Sequence, residues 1–319
     1  MKQVKKKVLE YLARSGKVVS GEDMALHLGV TRAAVWKAVR ELKQEGEDIL
    51  SSRKGYWLRL KEEMRPSAFM MAVPQIAIVE CYEEIASTND RAKELALSGA
   101  PHFSLVTAMG QSQGRGRFSR TFYSQKGTVL YCSIILRPTS PATYIQRITA
   151  CAAVAVCQAI EKLCPAKVGI KWVNDLWLGG KKICGILTEG ALTPDGDLSY
   201  AIVGIGVNVQ KTDFPLELTS IATDIETETG VKIPLFALMR EILFALSNLL
   251  EDLERGDFLS EYAKRSVLTG KTVTLRRGDE TLTGEVIRIG DAGELCLLVN
   301  GEEIAISSGE VVTLHTSHS

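Results

Sequence analysis

Residues 61–74, KEEMRPSAFMMAVP, keep neither the period of a helix nor that of a strand, and two prolines fall within them. Such a break rules out one continuous repeat or bundle and predicts a linker over 63–74 between separately folded parts. The pattern before it is helical, and the pattern after it mixes strands and helices as far as about residue 266. From 267 to 319 short strands alternate with glycine turns. The predicted division is therefore 1–62, linker, 75–266 and 267–319 in an α+β multidomain chain. A length of 319 residues suits roughly two domains at about 150 residues each.

In the first part, Val4, Val8, Leu9 and Leu12 recur at helical spacing. Ser20 and Asp23 have capping-box spacing before a second helix, which Gly29 closes. Thr31 then caps a third helix, whose apolar face is Val35, Ala38, Val39 and Leu42. Arg32, Ala33, Trp36, Lys37 and Arg40 lie away from that face. Two short segments, Ile49–Ser52 and Tyr56–Leu60, flank a basic tip at Arg53 and Lys54. Helix, tight turn, helix and basic hairpin in this order are the pattern of a winged helix-turn-helix, with the third helix reading bases and the hairpin touching phosphate. Charge agrees. Residues 1–60 hold thirteen Lys or Arg against seven Asp or Glu, a net +6, which leaves −6 for the remainder of a chain of net charge zero.

In the middle part, strands are predicted at Ile76–Glu80, Ser104–Met109, Thr128–Leu136, Ile170–Trp172, Leu176–Leu178, Lys182–Glu189 and Tyr200–Val209. Helices are predicted at Thr88–Ser98, Pro141–Leu163 and Leu235–Arg255. The apolar run Ile148 to Ile160 falls short of the ~18 residues that cross a bilayer and reads as a buried helix. The basic N-terminus has helical apolar spacing and no small-residue cleavage site, so the expectation is a cytoplasmic protein with no membrane partner. Seven cysteines with no CxxC pair and no nearby His predict reduced, mostly buried thiols rather than a zinc site. The glycine-punctuated tail predicts a small β-barrel or sandwich.

Three stretches carry chemistry. Between two strands, Gln111-Ser-Gln-Gly114-Arg115-Gly116-Arg117-Phe118-Ser119-Arg120-Thr-Phe122 joins backbone freedom, guanidinium forks and aromatic faces that could stack on a base. Taken alone it equally fits an RNA-binding RG segment or a solvated basic loop. Next, Lys171-Trp-Val-Asn174-Asp175-Leu-Trp-Leu precedes Lys181-Lys182-Ile-Cys-Gly185. A lysine at the start of an apolar strand with a glycine close behind can clamp a carboxylate or phosphate, although a single such lysine is more often solvated surface. The third stretch, Val203-Gly-Ile-Gly-Val-Asn208-Val209, lacks the last glycine of a dinucleotide fingerprint, so its glycines leave room for a ligand against the sheet.

Together, GRGR, KWxND followed by KKxxGIL, GIGxN and Ser87-Thr88-Asn89 resemble the biotin protein ligases, specifically the bifunctional type that also represses the biotin operon. The resemblance covers the whole chain, and the N-terminal winged helix separates this group from shorter ligases. It implies a central α/β mixed-sheet ligase domain and a C-terminal SH3-like β-barrel. It implies two steps: biotin and ATP give biotinyl-5′-AMP and pyrophosphate, and a lysine of the biotin carboxyl carrier protein then takes the biotinyl group as an amide. The implied biotin contacts are Ser87, Thr88, Asn89, Gln111, Gly114, Arg115, Gly116, Arg117, Lys182 and Gly185. The resemblance also implies that Lys182 and Arg117 carry catalysis, that Arg117, Arg120, Phe122, Asn174 and Asn208 hold ATP or the adenylate, and that Asp175 is the carboxylate on the side of a Mg2+ ion. Operator DNA would be met by Arg32, Ala33, Trp36, Lys37, Arg40, Arg53 and Lys54 of a homodimer.

Two positions depart from the family's GRGRxGRxW: Ser119 stands for the glycine and Phe122 for the tryptophan. An aromatic face for adenine is kept with less area. Three rivals are a lipoate ligase, a repressor that only senses biotinyl-AMP, and a ligase whose winged helix is idle.

Overall fold

The computed structural model describes residues 2–15, 18–45, 47–58, 64–119, 126–138 and 141–315. They form two compact units, Met1–Cys81 and Tyr82–Ser319.

The first unit contains α1 (Lys2–Ser15), α2 (Gly21–Leu28), α3 (Arg32–Gln44), β1 (Ile49–Ser52), β2 (Gly55–Leu58) and α4 (Pro66–Ala72). The caps are those that the sequence predicts. Ser20 Oγ accepts from the Asp23 N–H, Gly29 adopts the left-handed conformation that ends α2, and Thr31 Oγ1 accepts from the Ala34 N–H. Val35, Ala38, Val39 and Leu42 are buried with Val8, Leu12, Met24, Ile49 and Leu58 in one core. β1 and β2 pair antiparallel from Ile49–Leu58 to Ser52–Gly55, with Arg53 and Lys54 at the tip.

The segment 63–74, expected as a linker, instead contains α4. Phe69 is fully buried and Ser67 Oγ donates to the buried Glu47 carboxylate at 2.6 Å. Met70 and Met71 pack on the winged-helix core. Seven residues are too few for periodicity to register, and packing rather than propensity holds this helix.

The chain passes from the first unit to the second within β3 (Val79–Tyr82), followed by α5 (Thr88–Leu97), β4 (Ser104–Ala108), β5 (Val129–Leu136), α6 (Ile145–Leu163), β6 (Gly169–Lys171), β7 (Asp175–Leu178), β8 (Lys181–Leu192) and β9 (Leu198–Asn208). Then come α7 (Ile225–Thr229), α8 (Leu235–Leu250) and α9 (Phe258–Lys264). The central sheet has the order β3-β4-β5-β9-β8-β7-β6. Its ladders from β4 to β6 are antiparallel, and parallel bridges at Ile85–Gln111, Ile170–Ser266 and Lys182–Ala222 make it mixed.

β5 is buried at every position, which explains its unbroken apolar run where a half-exposed strand would alternate. By length and apolarity Ala142–Leu163 could cross a membrane, but α6 is buried continuously from Ile148 to Cys157 and packs against α8, α9 and β8. Six of the seven thiols are buried and Cys81 is half-buried; none forms a disulfide.

The tail forms β10 (Thr272–Arg277), β11 (Glu280–Ile289), β12 (Leu295–Val299), β13 (Glu302–Ile306) and β14 (Glu310–His315), an antiparallel sheet in the order β13-β12-β11-β10-β14. A barrel needs its two edge strands to pair. Among the described residues β13 and β14 do not, so the tail is a five-stranded sheet without the expected closure.

Candidate active site and nucleic-acid interface

A cavity of about 480 Å³ opens on the central sheet of the second unit. One wall is the start of α5, where Ser87 Oγ caps the helix by accepting from the Asp90 N–H. Behind that cap, Ser87, Thr88 and Asn89 are buried and Gln111 reaches them. Gln111 Oε1 accepts from the Thr88 N–H at 2.7 Å and lies 3.1 Å from Thr88 Oγ1. Asn89 sits over Gly204, where a Cβ would fall 2.1 Å from its Oδ1, so the glycine of β9 makes room for the amide.

The opposite side comes from β7 and β8. A register shift between Leu176 and Trp177 leaves Asp175 opposite Gly185 and Trp177 opposite Lys182. Lys182 Nζ lies 2.7 Å from Asp175 Oδ1, and their side chains are 34% and 26% exposed, so both remain open to the cavity. The preceding turn is pinned from three sides. Trp172 Nε1 donates to the Gly293 carbonyl, Tyr262 Oη donates to the Val173 carbonyl, and Asn174 Nδ2 donates to the Ile186 carbonyl. Asn208 Nδ2 donates to the Thr223 carbonyl, which ties the end of β9 to the loop beside Lys182.

Arg117 bridges the parts. Its guanidinium donates to Asn174 Oδ1 at 3.2 Å and to the Gly309 carbonyl at 3.0 Å, and it stacks 4.9 Å from the Phe118 ring centroid. Arg115 pairs with Asp90 and stands 3.6 Å from Glu189. Burial pushes the thiols of Cys132 and Cys184 well up, so these two wall residues stay neutral and are poor nucleophiles beside a reactive ester or anhydride.

The cavity thus brings together Ser87, Thr88, Asn89, Gln111, Arg115, Gly116, Arg117, Asn174, Asp175, Lys182, Gly185 and Asn208 of the expected residues. Gly114 is buried in the same loop but is not part of the lining. Arg120 and Phe122 lie outside the described residues. Sequence reasoning did not pick out Tyr131, Trp177, Phe214, Leu218, Ile221, Glu310 and Val311, which also line the cavity. They come from distant segments, and each is a single residue without a motif; only the aromatic character of Trp177 beside KWxND could have flagged it.

In the first unit, Arg32, Ala33, Trp36, Lys37, Arg40, Arg53 and Lys54 are all exposed. Arg32, Trp36, Arg40, Arg53 and Lys54 line a concave surface of about 450 Å³ between α3 and the hairpin. The Arg40 guanidinium lies 5.5 Å from the Trp36 ring centroid, and Lys43 Nζ donates to Ser51 Oγ, which fastens α3 to β1. A helix N-terminus, a planar cation stacked on an aromatic ring and a basic hairpin tip on one face suit a DNA groove.

Three family models match the chain. Residues 82–208 match the Biotin/lipoate A/B protein ligase family, 4–57 an HTH domain and 268–313 the Biotin protein ligase C terminal domain. Over 309 residues the chain is 36% identical to the bifunctional ligase/repressor BirA of Bacillus subtilis (strain 168), across 93% of this chain and 94% of that protein. The chain belongs to the bifunctional ligase/repressor family. The Escherichia coli (strain K12) member is 29% identical over 300 residues, 91% of each chain. Among solved structures, the biotin protein ligase from Aquifex aeolicus in complex with biotin and ATP matches at a TM-score of 0.65 and 26% identity, covering 75% of this chain and 99% of its own. This ligase is therefore similar over nearly its whole length to proteins that join enzyme and repressor, and over its larger part to a ligase alone.

Proposed function

We infer that the chain forms biotinyl-5′-AMP from biotin and ATP, transfers biotin to a carrier lysine, and represses transcription in response to biotin. The observation that carries this reading is the Lys182–Asp175 pair at 2.7 Å, lining one cavity together with Arg117 and the Thr88–Asn89–Gln111 cluster. A cyclic urea has two N–H donors and one carbonyl acceptor, and that cluster supplies amide and hydroxyl partners for both. The valeryl carboxylate then runs toward Lys182.

In the first step a carboxylate oxygen bonds to the α-phosphorus, the bond from that phosphorus to the bridging oxygen breaks, and pyrophosphate leaves. Two anions must approach, so Lys182 lies between carboxylate and α-phosphate, and Arg117 stabilises the charge that builds on the phosphoryl oxygens. Asn174 and Asn208 orient the nucleotide. Phe122 and Arg120 are the residues expected at the adenine, and exposed Phe118, which lines the cavity, adds an aromatic face. In the second step the amine of the carrier lysine attacks the acyl carbon, AMP departs with the bonding pair, and the amine gives up a proton. The product is an amide. Until then the mixed anhydride must be kept from water, which is the task of the 111–122 loop.

Mg2+ fits the donor set. It takes one or two carboxylates and completes its shell with phosphates and water, and Asp175 is a partly exposed carboxylate in the cavity. Asp175 would hold it, and the bound ion supplies charge neutralisation on the triphosphate.

Several finer features belong to the same reading. The partner is a biotin carboxyl carrier protein, the protein acts in the cytoplasm, and it binds a two-fold operator as a homodimer. The ligase domain spans 75–266. The tail, 267–319, is an SH3-like module, a shape that the register shifts in β10–β14 and β11–β12 favour because bulges bend strands. Mass spectrometry of a carrier domain after incubation with biotin and MgATP, beside a gel shift with the chain's own operator, tests the whole. A carrier that gains no biotinyl mass would remove the ligase, and no shift with or without biotinyl-AMP would leave the winged helix idle.

A further inference from the structure

Behind the Thr88–Asn89 wall, and outside the cavity lining, lie Ser133 and Glu189. Ser133 on β5 is fully buried, with its Oγ 2.6 Å from Asn89 Oδ1 and 2.8 Å from Thr88 Oγ1. Glu189 on β8 accepts from Asn89 Nδ2 at 2.8 Å, and the same carboxylate oxygen stands 3.6 Å from Arg115.

Counting protons gives this network a direction. A carboxylate only accepts, so the Asn89 amino group must face Glu189 and its Oδ1 must face Ser133. Asn89 Oδ1 cannot donate, so the single Ser133 proton goes to it. Two hydroxyl oxygens at 2.8 Å need a proton between them, so the Thr88 hydroxyl donates to Ser133. Gln111 Oε1 then receives only the Thr88 N–H, although Thr88 Oγ1 is 3.1 Å away. A carbonyl oxygen accepts twice, so one acceptor site on Gln111 Oε1, and the two on Thr88 Oγ1, remain for a ligand.

We propose that Ser133 and Glu189 are positioning residues that set the hydrogen-bond polarity of this wall, turning Thr88 and Gln111 into acceptors for the ureido N–H groups of the substrate. This rests on the reading that biotin occupies the cavity. Neither residue touches the ligand. Without the Ser133 hydroxyl, the Thr88 proton turns to Gln111 Oε1, which is then saturated and can no longer receive a ligand N–H. Ser133→Ala thus removes recognition of a donor by a residue two bonds away, with almost no change in volume. Glu189 acts one step earlier. Without its carboxylate the Asn89 amide is free to flip and present its amino group to Ser133, which reverses the chain.

The test uses the full chain and titration calorimetry with biotin and with the two cyclic-carbamate analogues in which one ureido N–H is replaced by oxygen. The wild type should prefer biotin to at least one analogue by about tenfold or more, because an oxygen there faces an acceptor. Ser133→Ala should bind biotin more weakly and bring that preference to within about threefold, with the KM for ATP unchanged. Glu189→Leu should do the same, and Glu189→Gln, which keeps an acceptor for the Asn89 amide, should restore the preference. A preference that survives in both Ser133→Ala and Glu189→Leu, or that the wild type never shows, overturns the proposal. Failure of the wild type to bind biotin at all would instead overturn the reading on which it rests.

Discussion

Lys182 and Asp175 stand on adjacent strands with Nζ 2.7 Å from Oδ1, and both remain partly open to the cavity. The pair holds the lysine at the place where the carboxylate and the α-phosphate must meet, and an arriving anion competes with Asp175 for it. Lys182→Ala should lower the rate of biotinyl-AMP formation by a factor on the order of 100 or more, matching the loss of about 2.7–4 kcal/mol when one such donor is removed. Pyrophosphate release in single-turnover experiments reads it, and adenylation within a few-fold of the wild type would remove Lys182 from the chemistry.

Arg117 ties the glycine-rich loop to Asn174 and to the Gly309 carbonyl. Arg117→Ala should therefore weaken retention of the intermediate as well as its formation. Biotinyl-AMP should leave faster, and bystander lysines on unrelated proteins should become labelled. Rapid-filtration release rates and a blot of added albumin check this; unchanged release would place retention elsewhere.

Gly204 leaves the space that Asn89 fills, since a Cβ there would fall 2.1 Å from Oδ1 and 2.8 Å from Cγ. The backbone at this glycine is ordinary extended strand, so alanine should fold but displace the amide. Gly204→Ala is expected to raise the KM for biotin about tenfold or more and leave that for ATP nearly unchanged, as for a lost hydrogen-bonding wall. Equal effects on both substrates would mean a general distortion of β9.

Local signals were the most legible in the sequence. Ser20, Gly29 and Thr31 act within a few residues of themselves, so their capping roles can be read without knowing the fold. Strands β4, β5 and β9 and helix α5 lie within two residues of their expected ends, because long apolar runs and a clear cap mark them. Helix α4 escaped because Phe69 and the Ser67–Glu47 bond stabilise it only once the winged helix exists to pack against. In the cavity, GRGR and KWxND announced one side. Glu310 and Val311 arrive from the tail, and no local pattern links a β14 residue to a β7 carboxylate.

Glu47 makes the first unit pH-sensitive. Burial raises its pKa above the usual 4.5, with Ser67 and Arg65 opposing the shift. A carboxyl raised on folding favours the folded state below its unfolded pKa and loses that contribution as pH rises through the folded one. Above the folded pKa the ionised, buried carboxylate is therefore a cost. Glu47→Gln, which still offers Ser67 an acceptor, should slow hydrogen exchange across 2–72 at pH 7–8 and give no gain near pH 4. A gain that is the same at both values would assign the effect to packing.

The face of α3 sets the last prediction. Arg40 is stacked on Trp36, so its guanidinium enters a groove with little freedom left to lose, and it suits reading a base edge. Arg53 sits exposed at the hairpin tip, a position that suits contact with backbone phosphate. Arg40→Ala should cost roughly 1–3 kcal/mol on the operator and much less on unrelated DNA. Arg53→Ala should weaken all sequences alike and flatten the log–log salt dependence by about 0.9 for each phosphate left unneutralised. If biotinyl-AMP brings two copies onto one site, two winged helices then release counterions together, and the wild-type salt slope should steepen when the adenylate is bound. Fluorescence anisotropy with labelled operator and a scrambled duplex, across several salt concentrations and with or without biotinyl-AMP, separates these effects. An Arg40→Ala loss equal on both duplexes, or a slope indifferent to the adenylate, would reduce the winged helix to a basic tether.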